Sequence, residues 1–417
     1  MKYLYQLAIY ILEVLFKIAA LLGHSKASLM ISGRKESLIR LSTLPKKSAK
    51  RVWFHCASLG EFEQARPVIE SLKKSYSNIE IIVTFYSPSG YEIKKNYAEA
   101  NYIFYLPADI PSKVKQFIDA LEPDMAFFVK YEFWPNYLTY LQKNKIPLYL
   151  LSGVFRKDQI FFKWYGSYFK NVLGAFNYFF LQDYRSSELL KQLGFNNYTV
   201  SGDTRFDRVL QTKANIQSLP VIESFIQKAS NVFVIGSSWP EDISIIAPYI
   251  KKSDSTQKFI IAPHDISEGS ILKVKRMLYP LKAMTYSELL TNPSAQDNSS
   301  SILIIDNIGL LSSIYQYATI VHIGGAYGKG LHNILEPAVF GVPVLFGPHI
   351  EKFQEATWMT SLGCGFIIEN ENQWESIVSN LIQHPEQRTS IKSRLENAIV
   401  VGSGATSKVI KQLQENF

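Results

Sequence analysis

Two cysteines, Cys56 and Cys364, are all that the 417 residues contain. They lie far apart, so neither a disulfide framework nor a cysteine-based zinc site can be read from them, and a reducing compartment fits. Charged residues make up only 19% against 47% hydrophobic, which excludes a disordered chain. No block of basic residues interleaved with aromatics marks a nucleic-acid groove, and no nucleic acid is expected as a partner. The formal net charge of +8 points instead to a lipid surface or a phosphorylated substrate. Short internal repeats are lacking too. So is any Asp-x-Asp or His/Cys cluster with metal-ligand spacing.

What is present begins at the amino terminus. Tyr3 to Gly23 is apolar apart from Gln6, Glu13 and Lys17. Lys2, Gln6, Glu13, Lys17 and His24 fall on one helical stripe, and Glu13 and Lys17 are spaced as an i,i+4 pair. A wide apolar face with a thin polar stripe suits a helix lying in the membrane interface. Its length also just spans a bilayer. Glu13 and Lys17 interrupt the apolar run and speak against a cleaved signal peptide. A helix packed on the protein's own core is the competing reading. Lys26, Arg34, Lys35, Arg40, Lys46, Lys47, Lys50 and Arg51 follow, against Glu36 alone. Beside an apolar segment such a stretch attracts anionic lipid and marks the cytoplasmic side. By itself it also fits an ordinary solvated linker. The expectation is an anchor helix over 1–24 and a basic linker over 25–50.

From Arg51 short apolar runs alternate with helical patterns. The runs are Val52–Ala57, Ile79–Phe85, Tyr102–Leu106, Met125–Val129, Leu148–Leu151 and Tyr178–Leu181, with helix spacing over Glu61–Lys74 and Pro111–Leu121. After a polar stretch at Phe206–Pro220 a second series follows: Val232–Ile235, Phe259–Ala262, Ile302–Ile305, Ile320–Ile323, Val344–Phe346 and Phe366–Ile368. This βαβ rhythm predicts two doubly wound α/β domains, over 51–212 and 221–400, with a helical tail over 401–417. Tyr286–Ser301 reads as a polar loop. Ligands of open α/β sheets bind beyond the carboxyl ends of the strands, and in a two-domain arrangement those ends can face one another across a cleft.

The residues after each strand therefore carry the site. After the first comes Ser58-Leu59-Gly60-Glu61, where Gly60 permits a tight turn. Glu61 there is either a general base or an acid complementing a helix dipole. After the fourth comes Glu132-Phe133-Trp134-Pro135-Asn136, in which Glu132 either contacts substrate or caps a helix. In the second half Gly324-Gly325-Ala326-Tyr327-Gly328-Lys329 runs from a strand towards His332-Asn333-Ile334-Leu335-Glu336-Pro337. Glycines let backbone N–H groups approach an anion, and a helix amino terminus favours negative charge. The loop lacks the P-loop order and the dinucleotide fingerprint. Glu336 can accept two hydrogen bonds from a ribose diol. Ser237, Ser238, Pro263 and His264 end two further strands.

In order and spacing these segments, with Ser201-Gly202-Asp203-Thr204-Arg205-Phe206-Asp207, Gly33-Arg34-Lys35 and Gly341-Val342-Pro343, resemble the transferases of 3-deoxy-D-manno-octulosonic acid (Kdo). The resemblance runs along nearly the whole chain. It implies a GT-B fold of two Rossmann-like domains, CMP-Kdo as donor and a lipid A precursor as acceptor, at the cytoplasmic face of the bacterial inner membrane. It implies inverting transfer with no metal and no cofactor. Glu61 is then the general base and Glu132 a second catalytic carboxylate, with Ser58, Gly60 and Arg205 on the acceptor side. Ser237, Ser238, Pro263, His264, Gly324, Gly325, Lys329, Asn333 and Glu336 would bind the nucleotide. The family's Pro-Arg-His is here Pro263-His264-Asp265, so one positive charge is missing, and Lys329 or Arg205 are candidates to supply it. Another GT-B enzyme using a UDP-sugar and a non-catalytic membrane-bound nucleotide sensor are the alternatives.

Overall fold

β1 (Lys50–Cys56) shows how the sequence pattern builds the core. Side chains alternate across a strand, so Trp53 enters one apolar layer while Val52, Phe54 and Cys56 enter the other. With both faces covered, the strand reads as a nearly continuous apolar run. The same logic repeats in β2 (Ile79–Phe85), β3 (Tyr102–Tyr105), β4 (Met125–Val129), β5 (Leu148–Gly153), β6 (Tyr178–Leu181) and β7 (Tyr198–Val200). These form a seven-stranded sheet, β3-β2-β1-β4-β5-β6-β7, parallel throughout.

The computed structural model describes residues 1–291 and 300–414. It divides into two units, Met1–Arg208 together with the segment from Gly402, and Val209–Val401. The second holds β8 (Asn231–Ser238), β9 (Gln257–Pro263), β10 (Ala283–Thr285), β11 (Ile302–Ile304), β12 (Ile320–Ile323), β13 (Val344–Phe346) and β14 (Gly365–Ile367). They pair in parallel as β10-β11-β9-β8-β12-β13-β14. Two such sheets are the GT-B arrangement. Every apolar run expected to be a strand is one. β7 and β10 were not expected; each is a three-residue edge strand.

Three stretches differ from expectation. The basic linker is mostly helix α2 (Ser25–Ser42). Its Gly33 lies so close to β3 that a Cβ would sit 2.2 Å from the Tyr105 ring. Two of its expected lipid-facing cations are buried: Arg34, and Arg51, which pairs with Glu80 at 2.7 Å. The polar stretch after Phe206 is largely the helix Thr204–Ala214. The expected helical tail contains the helix Ala405–Leu413, whose Val409 and Leu413 complete an apolar layer of the first unit. Of the expected loop Tyr286–Ser301, Tyr286–Thr291 is helical, and 292–299 lie outside the described residues.

Helix α1 (Lys2–Leu21) is amphipathic in the inverted sense. Its narrow inward stripe carries the polar groups. Tyr5 donates to Asp109 at 2.7 Å, Ile9 is buried, and Glu13 pairs with Arg34 at 2.5 Å and Lys113 at 3.0 Å rather than with Lys17. Leu4, Leu7, Ile11, Val14, Leu15 and Ile18 face outward and are exposed. The helix is long and apolar enough to cross a membrane, yet only 6% of its most apolar window is buried by the protein.

Candidate functional site

In the first unit the strand order reverses between β1 and β4, and the two carboxylates follow those two strands. Such a switch point leaves a crevice at the strand ends. Helix α3 (Leu59–Ser75) starts directly after β1, with Ser58 as its N-cap. Glu61 accepts the Ser58 N–H at 2.8 Å and lies 3.2 Å from its hydroxyl. The capping role is thus real, but the carboxyl does more. Burial raises its pKa and the Glu132 charge adds to that, while the Ser58 N–H and the Lys130 charge pull the other way; the balance is about 7. A carboxyl so poised is half ionised at neutral pH and can take up a proton.

Glu132 is oriented by two neighbours. Its Oε2 accepts the Trp134 Nε1–H at 2.6 Å and lies 3.3 Å from His55 Nε2. Thr84 favours one His55 tautomer. Trp53 Nε1–H can only donate, so Thr84 Oγ1 accepts from it at 2.9 Å. The single Thr84 proton then goes to His55 Nδ1 at 2.9 Å rather than to the Phe54 carbonyl at 3.5 Å. With His55 in that tautomer, Nε2–H donates to Glu132. Trp134 also stacks on Tyr86, with ring centres 5.0 Å apart.

Gly60 is exposed, and its backbone is not left-handed, so the expected tight turn does not require it; a Cβ would meet only Ser58 Oγ at 3.9 Å. Arg205 forks onto Asp203, with Nε 2.9 Å and Nη2 2.7 Å from Oδ2. Burial pushes Asp203 up, but Arg205 outweighs it and holds the carboxyl below its usual range. Lys130 acts on both Asp203 and Glu61. Lys130 directly follows β4 at φ 66°, a strained conformation for a residue with a side chain.

In the second unit the order reverses between β8 and β12, and the expected donor residues gather there. β8 ends at Ser237, held at φ 50°, and Ser238, whose buried hydroxyl has no hydrogen-bond partner. Pro263 ends β9, and the His264 N–H donates to the Ser238 carbonyl at 2.9 Å. The His264 ring stacks on Trp239 at 4.4 Å and meets His332 at 4.7 Å. Lys329 Nζ lies 5.6 Å from the Trp239 ring centre. Burial lowers the pKa of His264 against the opposing charge of Asp265. Burial lowers that of His332 to about 4, and His264 adds to the shift. Both imidazoles are therefore mainly neutral at pH 7. His264 offers hydrogen bonds there rather than the missing positive charge, and Lys329 is the cation of this cluster.

The glycine loop differs from the expected open cradle. The Gly325 N–H donates to Asp242 Oδ2 at 3.2 Å, an atom that also accepts the Trp239 N–H at 2.7 Å. At Gly324 a Cβ would lie 2.5 Å from the Ser237 carbonyl, and Gly325 has φ +99°. The loop folds back, with the Lys329 and Gly330 N–H groups on the Gly325 carbonyl. The helix after it is the single turn Leu335–Ala338, so its dipole is smaller than expected. Asn333 Nδ2 donates to Glu336 Oε1 at 3.0 Å, and Asn333 Oδ1 accepts the Leu335 N–H at 3.1 Å.

Residues that spacing did not single out are His55, Thr84, Lys130 and Asp203 in the first unit, and Asp242 and His332 in the second. Asp242 was legible as an acid three residues after Trp239, the spacing of a capping carboxylate. Thr84 carried no local signal.

Residues 33–208 match the family described as 3-deoxy-D-manno-octulosonic-acid transferase (kdotransferase). The 3-deoxy-D-manno-octulosonic acid transferase of Aquifex aeolicus is 26% identical over 367 residues, which cover 84% of this chain and 92% of that protein. The one from Rickettsia felis is 28% identical over 369 residues, covering 84% and 75%. Among solved structures, the UDP-GlcNAc 2-epimerase of Neisseria meningitidis covers 88% of the chain with a TM-score of 0.62 at 15% identity, a likeness of fold alone. The matched span holds Glu61, Glu132 and Arg205, and the relatives extend the likeness to the Kdo transferases through most of the chain.

Proposed function

We propose that the chain transfers Kdo from CMP-Kdo to a lipid A precursor of the lipid IVA type, with inversion and without a metal. The observation that carries this reading is Glu61, a half-buried carboxyl brought to a pKa of about 7 within the family-matched span. In a single displacement Glu61 takes the acceptor hydroxyl proton, the acceptor oxygen bonds to the anomeric carbon, and the bond from that carbon to the CMP phosphate breaks. CMP leaves with the electron pair and needs no proton. Glu132, oriented by Trp134 and His55, holds the local charge that tunes Glu61. Lys329, the Ser238 hydroxyl and the carboxylate of Glu336, steadied by Asn333, are the donor-side contacts.

The inverted α1 supports membrane association, since its exposed apolar face has no protein cover. Docking it on a cytoplasmic membrane surface keeps the acceptor's acyl chains in the bilayer. Purified protein, CMP-Kdo and a tetraacylated disaccharide precursor, read by mass spectrometry, test the whole reading. Added Kdo residues in the presence of EDTA are expected. Transfer from a UDP-sugar and none from CMP-Kdo would overturn it.

A further inference from the structure

The first unit contains a cavity of about 170 Å³ between α1 and α2, whose lining includes the apolar Phe16, Ile31 and Leu38. Lys17, Lys35 and Lys113 line it as well. At its wall is Arg34, with 7% of its surface exposed. One guanidinium nitrogen binds Glu13 at 2.5 Å, but Nε and Nη2 have no hydrogen-bond partner. The group's flat face stacks over Tyr86, 4.7 Å from the ring centre. Buried N–H groups of a charged side chain are seldom left unmade, because each costs free energy unless something accepts from it. Glu13 is the single carboxylate among the cavity's lining residues, against four cations.

We infer that this cavity binds the phosphate of a membrane lipid, with the first part of an acyl chain against Phe16, Ile31 and Leu38. A phosphate oxygen suits the vacant Nε and Nη2 edge, since a guanidinium presents paired donors to such groups. The apolar wall argues for a lipid over a free ion. On α1 the cavity is lined by Glu13, Phe16 and Lys17, sequence neighbours of the outward Val14, Leu15 and Ile18, so a lipid would reach it from the same bilayer. This inference rests on the membrane reading above. It also ties the lipid to the chemistry, because Arg34 stacks on Tyr86, Tyr86 on Trp134, and Trp134 donates to Glu132. Arg34 itself thus lies three contacts from Glu132, and a phosphate held on it four.

The full chain in non-ionic detergent is titrated with dihexanoyl phosphatidylglycerol, dihexanoyl phosphatidylcholine and inorganic phosphate. The anionic lipid is expected to bind at least about tenfold more tightly than either control, the scale of a charge-assisted pair. The double substitution Glu13→Gln with Arg34→Gln keeps a neutral pair in place of the buried charges and is expected to abolish that preference. Lys35→Gln with Lys113→Gln, both at the cavity rim, provides a second variant should the first fail to fold, and is expected to weaken the anionic lipid several-fold. Equal binding of both lipids would overturn the phosphate assignment, and equal binding of inorganic phosphate would overturn the lipid assignment. Undiminished binding in the variants would overturn the site. Because the short-chain lipids need no bilayer, vesicle flotation separately reports any failure of the membrane reading.

Discussion

Glu61 and Glu132 follow neighbouring strands and share one electrostatic environment. Burial raises Glu61 first, the Glu132 charge adds to it, and the result is a carboxyl near neutrality. The kinetic consequence is an ascending limb in the pH profile of turnover near pH 7, where Glu61 loses its proton. Glu61→Gln is expected to lower turnover about 10²–10⁴-fold, the usual worth of general-base help, and to abolish that limb. Folding survives, since the Gln carbonyl can still accept the Ser58 N–H. Normal turnover in a folded Gln variant would remove Glu61 from the mechanism.

The neighbours shift that limb in opposite directions. Glu132→Gln deletes a negative charge that raises Glu61, so the limb moves to lower pH. Lys130→Met deletes a positive charge that lowers it, so the limb moves to higher pH. Initial rates of Kdo transfer between pH 5 and 9 check both signs. Shifts of the same sign in the two variants would contradict the electrostatic account.

The same shift has a stability sign. The folded-state pKa of Glu61 lies above its ordinary value of 4.5, so between that value and about 7 the folded state binds more protons than the unfolded one. Stability from this group is full below the ordinary value and is lost as pH rises through about 7. The loss is at most about 3 kcal/mol, before relaxation of the site. Glu61→Gln should therefore melt higher than the parent chain at pH 8, with the difference shrinking towards pH 4. Thermal unfolding at the two pH values tests this, and a Gln variant that is less stable at pH 8 would mean that the capping interaction outweighs the burial.

Much of this site was legible because strand ends are legible. Buried parallel strands write themselves as apolar runs, and Glu61, Glu132, Ser237, His264 and Gly324 each follow one. What stayed hidden acts across the sheet or through packing. Thr84 orients His55 from a neighbouring strand, a relation without local spacing. The Gly324-Gly325 pair read as an anion cradle, yet its glycines are also required by the close approach of Ser237 and by the fold-back to Gly330. β7 and β10 were missed because edge strands need only short, half-exposed segments. Helix α2 read as a linker because its cations mask the side chains that bury against β3.

The two faces of α1 can be separated experimentally. Leu7→Glu, Val14→Glu and Ile18→Glu on the outward face should move the protein from the membrane fraction to the supernatant and leave its melting temperature nearly unchanged. Glu13→Ala should do the reverse, costing about 3 kcal/mol because Arg34 is left buried without its carboxylate. Flotation and thermal unfolding of the two sets distinguish an anchor from a packing helix. Unchanged flotation in the outward variants would refute membrane docking through α1.

Asp242 offers the sharpest test of the donor side, because it touches the loop from beneath. Its carboxylate holds the Trp239 and Gly325 N–H groups and lies 3.3 Å from His322 Nε2, with no exposed surface. Asp242→Ala leaves those buried donors unpaired, at about 1–3 kcal/mol each, and should lower the melting temperature. Asp242→Asn keeps an acceptor oxygen for only part of the set and should be milder. If the loop serves the donor nucleotide, the Asn variant raises the KM for CMP-Kdo more than it lowers kcat, because Trp239 and Gly325 carry the stacking and phosphate contacts while Glu61 is untouched. A fall in kcat alone would place the loop's role elsewhere than in donor binding.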